Sequence, residues 1–403
     1  MTDSAASDRP LSLFLVAAEE SGDRLGAALM AALRERAPVP PLFRAVGGAA
    51  MAAQGAPSLF PVDDLSIIGL AAIPRRLPTI LRRIRETAYA IIAARPDALI
   101  IIDSPDFTHR VARRVRAALP HLPIVDYVSP TVWAWRPGRA RTMRRYVDHV
   151  LALLPFEPAA HRQLGGPPCT YVGHPLIERL HDLRPGPSEA LRREGEPPVI
   201  LALPGSRGSE IHRLAEPFGA ALGQVKAQLG AIELVLPTLP HLAPRVAAAT
   251  QTWPVPPRIV IDPAEKHRAF RTARAALAAS GTVTLELALA GIPTVAAYRV
   301  SPVEAWVARR LIRVPSVILA NLVLGRNVVP ELLQDQCTPD ALAGELLAVI
   351  RDGQARRRQT DAFAELDTIM HVGELVPSHA AADVVLGLVR GYAGSRADSS
   401  AKG

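Results

Sequence analysis

Two short loops carry the clearest chemistry in this chain. In Ala278-Ala279-Ser280-Gly281-Thr282-Val283-Thr284-Leu285-Glu286 a turn of small residues stands between an apolar run and a helical pattern. Such a turn feeds a helix N-terminus, whose orphan N–H groups and partial positive charge favour a phosphate. Ser280 leads into it, Gly281 lets the backbone come close to a ligand, and Thr282 offers a cap or a hydroxyl. Glu286 follows one turn later on the face of Thr282, where a carboxylate can accept both hydroxyls of a ribose. An ordinary capped helix with a surface glutamate would read the same way. The second loop, Leu203-Pro204-Gly205-Ser206-Arg207-Gly208-Ser209-Glu210, follows the apolar run 198–203. Gly205 and Gly208 bracket Ser206 and Arg207, so backbone N–H groups and a guanidinium converge on one volume. A diphosphate suits that set; a strand-to-helix turn with a solvated arginine is the plain alternative. Two such units in one half of a chain fit a nucleotide diphosphate at the carboxyl edge of a parallel sheet.

The N-terminal half has its own loops at strand ends. Asp103-Ser104-Pro105-Asp106-Phe107 follows the run 98–102 and puts a carboxylate at the carboxyl end of a buried strand. Asp103 is the candidate general base, with a pKa raised by its position, and Asp106 the expected helix cap. Residues 126–136 hold two of the four tryptophans, Trp133 and Trp135, beside Arg136. An exposed indole pair there would make a platform for a sugar or an acyl chain, and packing under the loop is the equal alternative. After the run 11–17 come Glu19, Glu20, Ser21, Gly22 and Asp23, where Ser21 or Asp23 can cap a helix and Gly22 permits a tight turn. The three-glycine spacing of a dinucleotide fingerprint is missing, which disfavours a nicotinamide cofactor.

Short apolar runs alternate with longer helical patterns, and this alternation is what must position the loops. Strands are expected at 11–17, 98–102, 124–128, 150–154, 199–203, 233–236, 258–261, 275–278 and 294–298, with crossover helices such as 22–36 and 215–229. Proline and glycine cluster over 183–198, the expected interdomain linker. The fold class is therefore α/β: two Rossmann-like, doubly wound parallel-sheet domains facing a cleft. Their expected extents are 11–183 and 197–355, followed by helices over 356–392 that either pack back on the first domain or join another subunit. A disordered tail is expected over 393–403.

Composition bounds the partners. With 403 residues, 49% hydrophobic and 21% charged, the chain has room for two ordinary cores. Cys169 and Cys337 are its only cysteines, too few for a disulfide framework or zinc site, so a reducing cytoplasm is the expected compartment. The first ten residues lack a basic-then-apolar progression, and no apolar stretch approaches the roughly 20 residues of a membrane span. The net charge is +8, and the densest basic stretch, 75–85, interleaves arginines with leucines and isoleucines as a membrane-surface helix would. A helix packed on a sheet with its arginines in water is the plainer reading, and the two are compatible. Aromatic residues are 4% and no nucleic-acid motif appears, so no nucleic-acid partner is expected.

Taken together these segments resemble the lipid-A-disaccharide synthase family. The resemblance runs from Ser12 to about Ala341 and rests on Glu20-Ser21-Gly22-Asp23, Ile102-Asp103-Ser104-Pro105-Asp106-Phe107, Val128-Ser129-Pro130-Thr131-Val132-Trp133-Ala134-Trp135, Leu154-Pro155-Phe156-Glu157, Val172-Gly173-His174-Pro175, the 203–208 loop, Ala279-Ser280-Gly281-Thr282 and Asn321-Leu322. It implies an inverting glycosyltransferase of GT-B type at the cytoplasmic face of the inner membrane. Such an enzyme transfers 2,3-diacylglucosamine from UDP to 2,3-diacylglucosamine 1-phosphate (lipid X), forming a β-1,6 bond. It also implies Asp103 as base, Arg207 with residues 280–282 on the departing UDP, Glu286 on the ribose and Asn321 near the donor. On the acceptor and acyl side stand Ser21, Gly22, Asp23 and the Trp133-to-Arg136 loop. No metal and no cofactor are implied, and a homodimer is possible. Two departures touch the acceptor side: Ala17-Ala18-Glu19-Glu20 replaces the family's usual Ala-Gly-Glu-Ala, and Ala72, after Ile68-Gly69, stands where the family usually has glutamate. Other readings are another UDP-sugar enzyme of this fold and a non-catalytic two-lobed sugar-binding protein.

Overall fold

A computed structural model describes residues 9–65, 73–311, 314–351 and 353–400. Residues Ile68, Gly69 and Ala72 lie outside the described residues. The chain divides into two compact units, Met1–Pro175 with Val372–Gly403, and Leu176–His371.

In the first unit the order is β1 (Ser12–Ala17), α1 (Glu20–Arg36), β2 (Leu42–Val46), α2 (Ala49–Ala53), α3 (Ile73–Ala94), β3 (Ala98–Ile102), α4 (Pro105–Ala118), β4 (Ile124–Tyr127), α5 (Gly138–Met143), β5 (His149–Ala152), α6 (Glu157–Leu164) and β6 (Cys169–Tyr171). Its six strands are all parallel in the order β2-β1-β3-β4-β5-β6. Strand β3, Ala-Leu-Ile-Ile-Ile, is buried at every residue, as a parallel strand covered on both faces must be. One face packs Leu13, Leu15, Ile100 and Ile102 under α1; the other packs Phe14, Val16, Leu99 and Ile101 under α3 and α4.

The second unit contains α7 (Leu180–Leu183), α8 (Pro187–Glu194), β7 (Val199–Leu203), α9 (Gly208–Leu229), β8 (Glu233–Pro237), α10 (Ala243–Thr250), β9 (Arg258–Val260), α11 (Pro263–Thr272), β10 (Ala275–Ala279), α12 (Thr282–Leu289), β11 (Thr294–Tyr298), α13 (Pro302–Leu311), α14 (Leu319–Leu324), β12 (Glu331–Leu333), α15 (Pro339–Ile350) and α16 (Gln354–Ile369). Its six strands are also parallel, in the order β12-β11-β10-β7-β8-β9. Helix α17 (Pro377–Ser400) returns to the first unit, where Ala381, Ala382, Val385 and Leu386 join the core beneath α1. Arg36 pairs with Asp383 there, and His379 meets Glu35 at 3.0 Å.

Three expectations are corrected. The units part between Pro175 and Leu176, not over 183–198, where Glu189 closes a capping box on the Gly186 N–H and starts α8. The two final helices separate, α16 to the second unit and α17 to the first. The tail expected to be disordered instead continues α17 to Ser400. Alanines and an arginine in Ala393-Gly394-Ser395-Arg396-Ala397 supply helix propensity that the small, polar composition hides.

In each sheet the chain runs outward from one strand and then returns to that strand's other side. The reversal lies between β1 and β3 in the first unit and between β7 and β10 in the second. Loops leaving two adjacent strands diverge at such a reversal, the usual ligand position at the carboxyl ends of these sheets, and in the second unit a cavity lies there.

Candidate functional site

At the β7/β10 reversal of the second unit a cavity of about 370 Å³ is lined by Gly205, Ser206, Arg207, Ser280, Gly281, Thr282 and Glu286, together with Glu210, Thr238 and Lys266. Seven of the eight expected donor-side residues therefore meet in one place. Gly205 has φ +125°, and a Cβ on it would stand 2.5 Å from both Cβ and Oε2 of Glu210, so glycine is required by conformation and by space. Gly281 is different. Its φ of 167° is extended backbone and a Cβ there would meet nothing within 4 Å, so its bareness only leaves the cavity open.

The 203–210 loop is not the open cradle expected. Glu210 reaches back from the third helical position of α9, and its Oε2 accepts the N–H groups of Ser206 (3.0 Å) and Arg207 (3.2 Å). Its Oε1 accepts one guanidinium N–H of Arg207 at 3.0 Å. This is a capping box, and it takes up the amides that a phosphate would use. Arg207 keeps a side chain 74% exposed, with guanidinium donors beyond the one that Glu210 accepts. The backbone donors fall to α12, which begins with no side-chain cap. Thr282 is exposed on the cavity and does not cap; Thr284 instead gives its hydroxyl to the Gly281 carbonyl at 2.7 Å.

Glu286 lies one turn beyond Thr282, as expected, but both its oxygens accept from Lys266 Nζ, at 2.8 and 3.1 Å. The pair neutralises a half-buried carboxylate while leaving it acceptor capacity for ribose hydroxyls. Lys266 sits on α11, twenty residues upstream of Glu286, and only the fold reveals the pairing. Asn321 is corrected. It is buried at 2% exposure; its Oδ1 accepts the N–H groups of Val328 and Val329, both at 2.9 Å, and its Nδ2 donates to the Val329 carbonyl at 3.0 Å and to Ser316 Oγ at 3.3 Å. It holds the turn beside the cavity, and Ser280 Oγ touches that segment through the Val317 carbonyl at 3.4 Å.

At the β1/β3 reversal of the first unit stands Asp103, half-buried. It and Ser104 adopt φ of +52° and +46°, two consecutive non-glycine residues in the left-handed region, and Val128 at the end of β4 has φ +85°. Strain of this kind clusters at functional positions. Asp103 Oδ1 accepts the Ser104 N–H at 2.7 Å, and Ser104 Oγ donates to Glu19 Oε1 at 2.9 Å. Burial raises the Asp103 pKa above the usual carboxylate range; the Ser104 N–H opposes this, and the charges of Glu19 and Asp126 add to it. Glu19 leaves β1 as Asp103 leaves β3, so the strand pairing brings the two acids together. Sequence spacing gives no sign of it.

The remaining expectations divide. Asp106 does not cap α4: it is 88% exposed, 3.4 Å from Arg139, and favours the helix only as a charge in the first turn. Neither Ser21 nor Asp23 caps α1, which begins at Glu20. Ser21 is exposed. Gly22 packs the helix on the sheet, where a Cβ would be 3.2 Å from Ala17 Cβ. Asp23, 4% exposed, accepts the N–H groups of Gly48 (2.7 Å), Ala50 (2.8 Å) and Met51 (3.0 Å) and so fixes the start of α2. Ala18 is buried, and Glu20 pairs with Arg24 at the surface. The two indoles are half-buried rather than an exposed pair. Trp133 donates to Glu157 Oε1 at 3.1 Å and meets Phe156 edge-on at 5.0 Å; Trp135 donates to Thr131 Oγ1 at 3.0 Å and carries the Arg136 guanidinium 4.3 Å above its ring. Beneath them lies a polar cluster the sequence did not disclose. Ser129 Oγ meets His161 Nε2 at 2.9 Å, and His109 bridges Asp126 (3.0 Å) and Tyr146 (3.1 Å). Burial lowers the His161 pKa and pushes Glu157 up to about 7.

Two parallel six-stranded sheets with an anion-type loop at one reversal and an acid at the other have the GT-B architecture. The glycotransferase of kitacinnamycin is similar at a TM-score of 0.58 with 17% identity, over 94% of this chain and 98% of that one. A UDP-GlcNAc 2-epimerase from Neisseria meningitidis bound to UDP-GlcNAc is similar at 0.61 with 11% identity, over 93% and 99%. Sequence separates what fold alone does not. The family model for lipid-A-disaccharide synthetase matches residues 13–381. A lipid-A-disaccharide synthase of Rhodopseudomonas palustris (strain HaA2) is 61% identical over 94% of this chain and 96% of its own length. One of Bradyrhizobium diazoefficiens is 62% identical over the same shares. The chain belongs to the lipid-A-disaccharide synthase family.

Proposed function

We propose that this chain forms the lipid A disaccharide, moving 2,3-diacylglucosamine from UDP to the 6-hydroxyl of 2,3-diacylglucosamine 1-phosphate with inversion. The observation that carries the reading is the family match across both units, 13–381, joined to a cavity at the β7/β10 reversal that suits a nucleoside diphosphate. The diphosphate lies against the N-terminus of α12 and the exposed guanidinium of Arg207, and the ribose hydroxyls bond Glu286. Asp103 takes the proton of the acceptor hydroxyl as its oxygen attacks the anomeric carbon; the bond to the diphosphate breaks and UDP leaves. Fixed dipoles and a guanidinium already aimed at the leaving group stabilise its growing charge without reorganising. The strained backbone at residues 103 and 104 holds the base where the substrate must meet it.

Among the described residues no helix is long and apolar enough to cross a membrane. We place the enzyme against the cytoplasmic face of the inner membrane, because both substrates carry acyl chains. Leu77, Arg82, Arg85 and Tyr89, exposed along α3, fit that contact. The test is UDP release with both diacylated substrates, each omitted in turn, beside UDP-N-acetylglucosamine as donor. Release should require both acylated partners. Equal turnover of the unacylated donor would move the reading to another UDP-sugar enzyme, and UDP-independent sugar binding would move it out of catalysis.

A further inference from the structure

Arg193 ties together the two helices that carry Lys266 and Glu286. It is 8% exposed and directs its guanidinium at four backbone carbonyls: Phe270 (3.0 Å) and Arg271 (3.2 Å) in α11, and Ala290 (3.1 Å) and Gly291 (3.2 Å) just past α12. Ala269 and Phe270 of α11 share one buried cluster with Leu287 of α12 and Ala290. Lys266 stands one turn before Phe270, and Glu286 one turn before Ala290, so gripping those two carbonyls sets the two side chains level with each other. Lys266 Nζ reaches both Glu286 oxygens, at 2.8 and 3.1 Å, while lying 5.0 Å from the centroid of the Phe270 ring. The carboxylate side chain is 16% exposed, and both residues line the cavity, so the pair is part of its wall rather than a loose surface contact. A carboxylate offers about four lone-pair sites, two on each oxygen. Lys266 takes one on each oxygen and leaves one on each, which matches the two hydroxyls of a ribose. Glu286 also lies four residues beyond Thr282, roughly 6 Å along α12 at 1.5 Å per residue, as a ribose diol lies beyond its 5′-phosphate.

We propose that Lys266 determines the sugar specificity of this cavity: by holding both Glu286 oxygens it fixes the carboxylate as acceptor for the 2′- and 3′-hydroxyls together, and so selects a ribonucleotide over a 2′-deoxyribonucleotide. The inference rests on the nucleotide position given under the proposed function and adds to it a positioning residue on a second helix, one that acts through Glu286 and touches no reacting atom. In the parent a missing hydroxyl leaves one aimed, poorly hydrated carboxylate oxygen without its donor, and that loss sets the preference. With the ammonium gone, the carboxylate has lost its cation and is drawn toward water. Its two accepting sites lose their aim, and a nucleotide lacking one hydroxyl then leaves unpaired only an acceptor that water already serves.

The experiment is calorimetric titration of the full chain with UDP and with 2′-deoxy-UDP, on the parent and on Lys266→Met, Lys266→Arg and Glu286→Gln. Methionine keeps an unbranched stem over Phe270 without the charge, and arginine restores a cation with donors for both oxygens. The parent should bind UDP about tenfold more tightly than 2′-deoxy-UDP. In Lys266→Met the Kd for UDP should rise about tenfold and the preference should shrink to within about twofold. Lys266→Arg should recover most of both. Glu286→Gln should lose the preference as well, and adding Lys266→Met to it should change little further. The ratio of two dissociation constants on one preparation is unaffected by a shared loss of folded protein, so a purely structural role would leave it at the parent's value. A ribose preference kept in Lys266→Met, with both nucleotides weakened alike, would overturn the proposal and assign the ammonium to the diphosphate. A parent that binds both nucleotides equally would overturn it too. A parent that binds neither would remove the nucleotide reading along with it. If the parent showed the ribose preference yet released no UDP from the diacylated substrate pair, the lipid A reading would fall while the specificity assignment stood.

Discussion

Replacing Asp103 by asparagine should separate chemistry from folding. Asparagine tolerates the left-handed backbone at φ +52° and can still accept the Ser104 N–H that Oδ1 now accepts at 2.7 Å. What disappears is a charge that burial, Glu19 and Asp126 all disfavour. A carboxyl whose pKa is raised in the fold contributes stability at low pH that is lost as pH rises through that value. At neutral pH the asparagine variant should therefore melt at the parent's temperature or above it. A general base is worth roughly a hundred- to ten-thousandfold, so kcat for UDP release should fall at least about a hundredfold, about 2.7 kcal/mol of barrier. The Kd for UDP should not move, because the cavity proposed for the nucleotide belongs to the other unit. In the parent the acid limb of kcat should lie above the ordinary carboxylate range, since the base works only when deprotonated. Glu19→Gln, by removing a neighbouring charge, should shift that limb to lower pH. Full turnover in Asp103→Asn with normal UDP binding would refute the base assignment. Loss of turnover accompanied by a lower melting temperature would refute the claim that the residue is strained for function rather than needed for the fold.

Asp23→Ala should lower stability by about 1–3 kcal/mol, because the N–H groups of Gly48, Ala50 and Met51 lose one buried acceptor; a urea midpoint falls while the Kd for UDP stays, and an unchanged midpoint would sink the reading. Glu157, pushed up to about 7 by burial, should contribute stability that is complete below its ordinary pKa of 4.5 and lost as pH rises through 7, a swing of about 3 kcal/mol. The difference between parent and Glu157→Gln urea midpoints across that window measures it, and a flat difference would contradict it.

The parts of this fold that could be read without coordinates are those whose physics is local. Most of the nine strands foreseen announce themselves because strands covered on both faces are continuous apolar runs, as Val199–Leu203 and Ala275–Ala279 are, while β9 is an edge strand with Arg258 exposed. The three missed, β2, β6 and β12, all stand at sheet edges and are partly exposed or only half-buried, so their sequences carry no such run. Both loops of the cavity proposed for the nucleotide were legible as small-residue turns before helices. Their meeting was expected from the repetition of the unit and from the family resemblance, and the pairing of Ala276 with Leu201, far apart in the chain, is what brings it about. Asp23 and Asn321 misled for one reason: a buried polar side chain that satisfies backbone groups has the same type and neighbours as one that binds a ligand. Glu210 did leave a trace, a glutamate three residues after the residue preceding a helix, but an arginine in the capping position masks the pattern.

One topology serves opposite electrostatic needs in the two units. At β7/β10 the helix start, Arg207 and Lys266 supply positive and dipolar groups, and the acids present, Glu210 and Glu286, are each tied to one of those cations. A pyrophosphate arriving there meets donors whose negative partners are already neutralised. At β1/β3 the acids gather: Glu19 Oε1 accepts the Ser104 hydroxyl, and Asp126, whose Oδ2 meets His109 at 3.0 Å, keeps its Oδ1 buried without a partner. Burial first, then the charges of Glu19 and Asp126, raises the Asp103 pKa, and a raised pKa makes its carboxylate a stronger acceptor for an alcohol proton. An inverting displacement asks for this division, a stabilised leaving group and an unpaired base. The same sheet reversal recurs in both units, and in the proposed mechanism the few residues leaving its two central strands decide which half of the chemistry each unit performs.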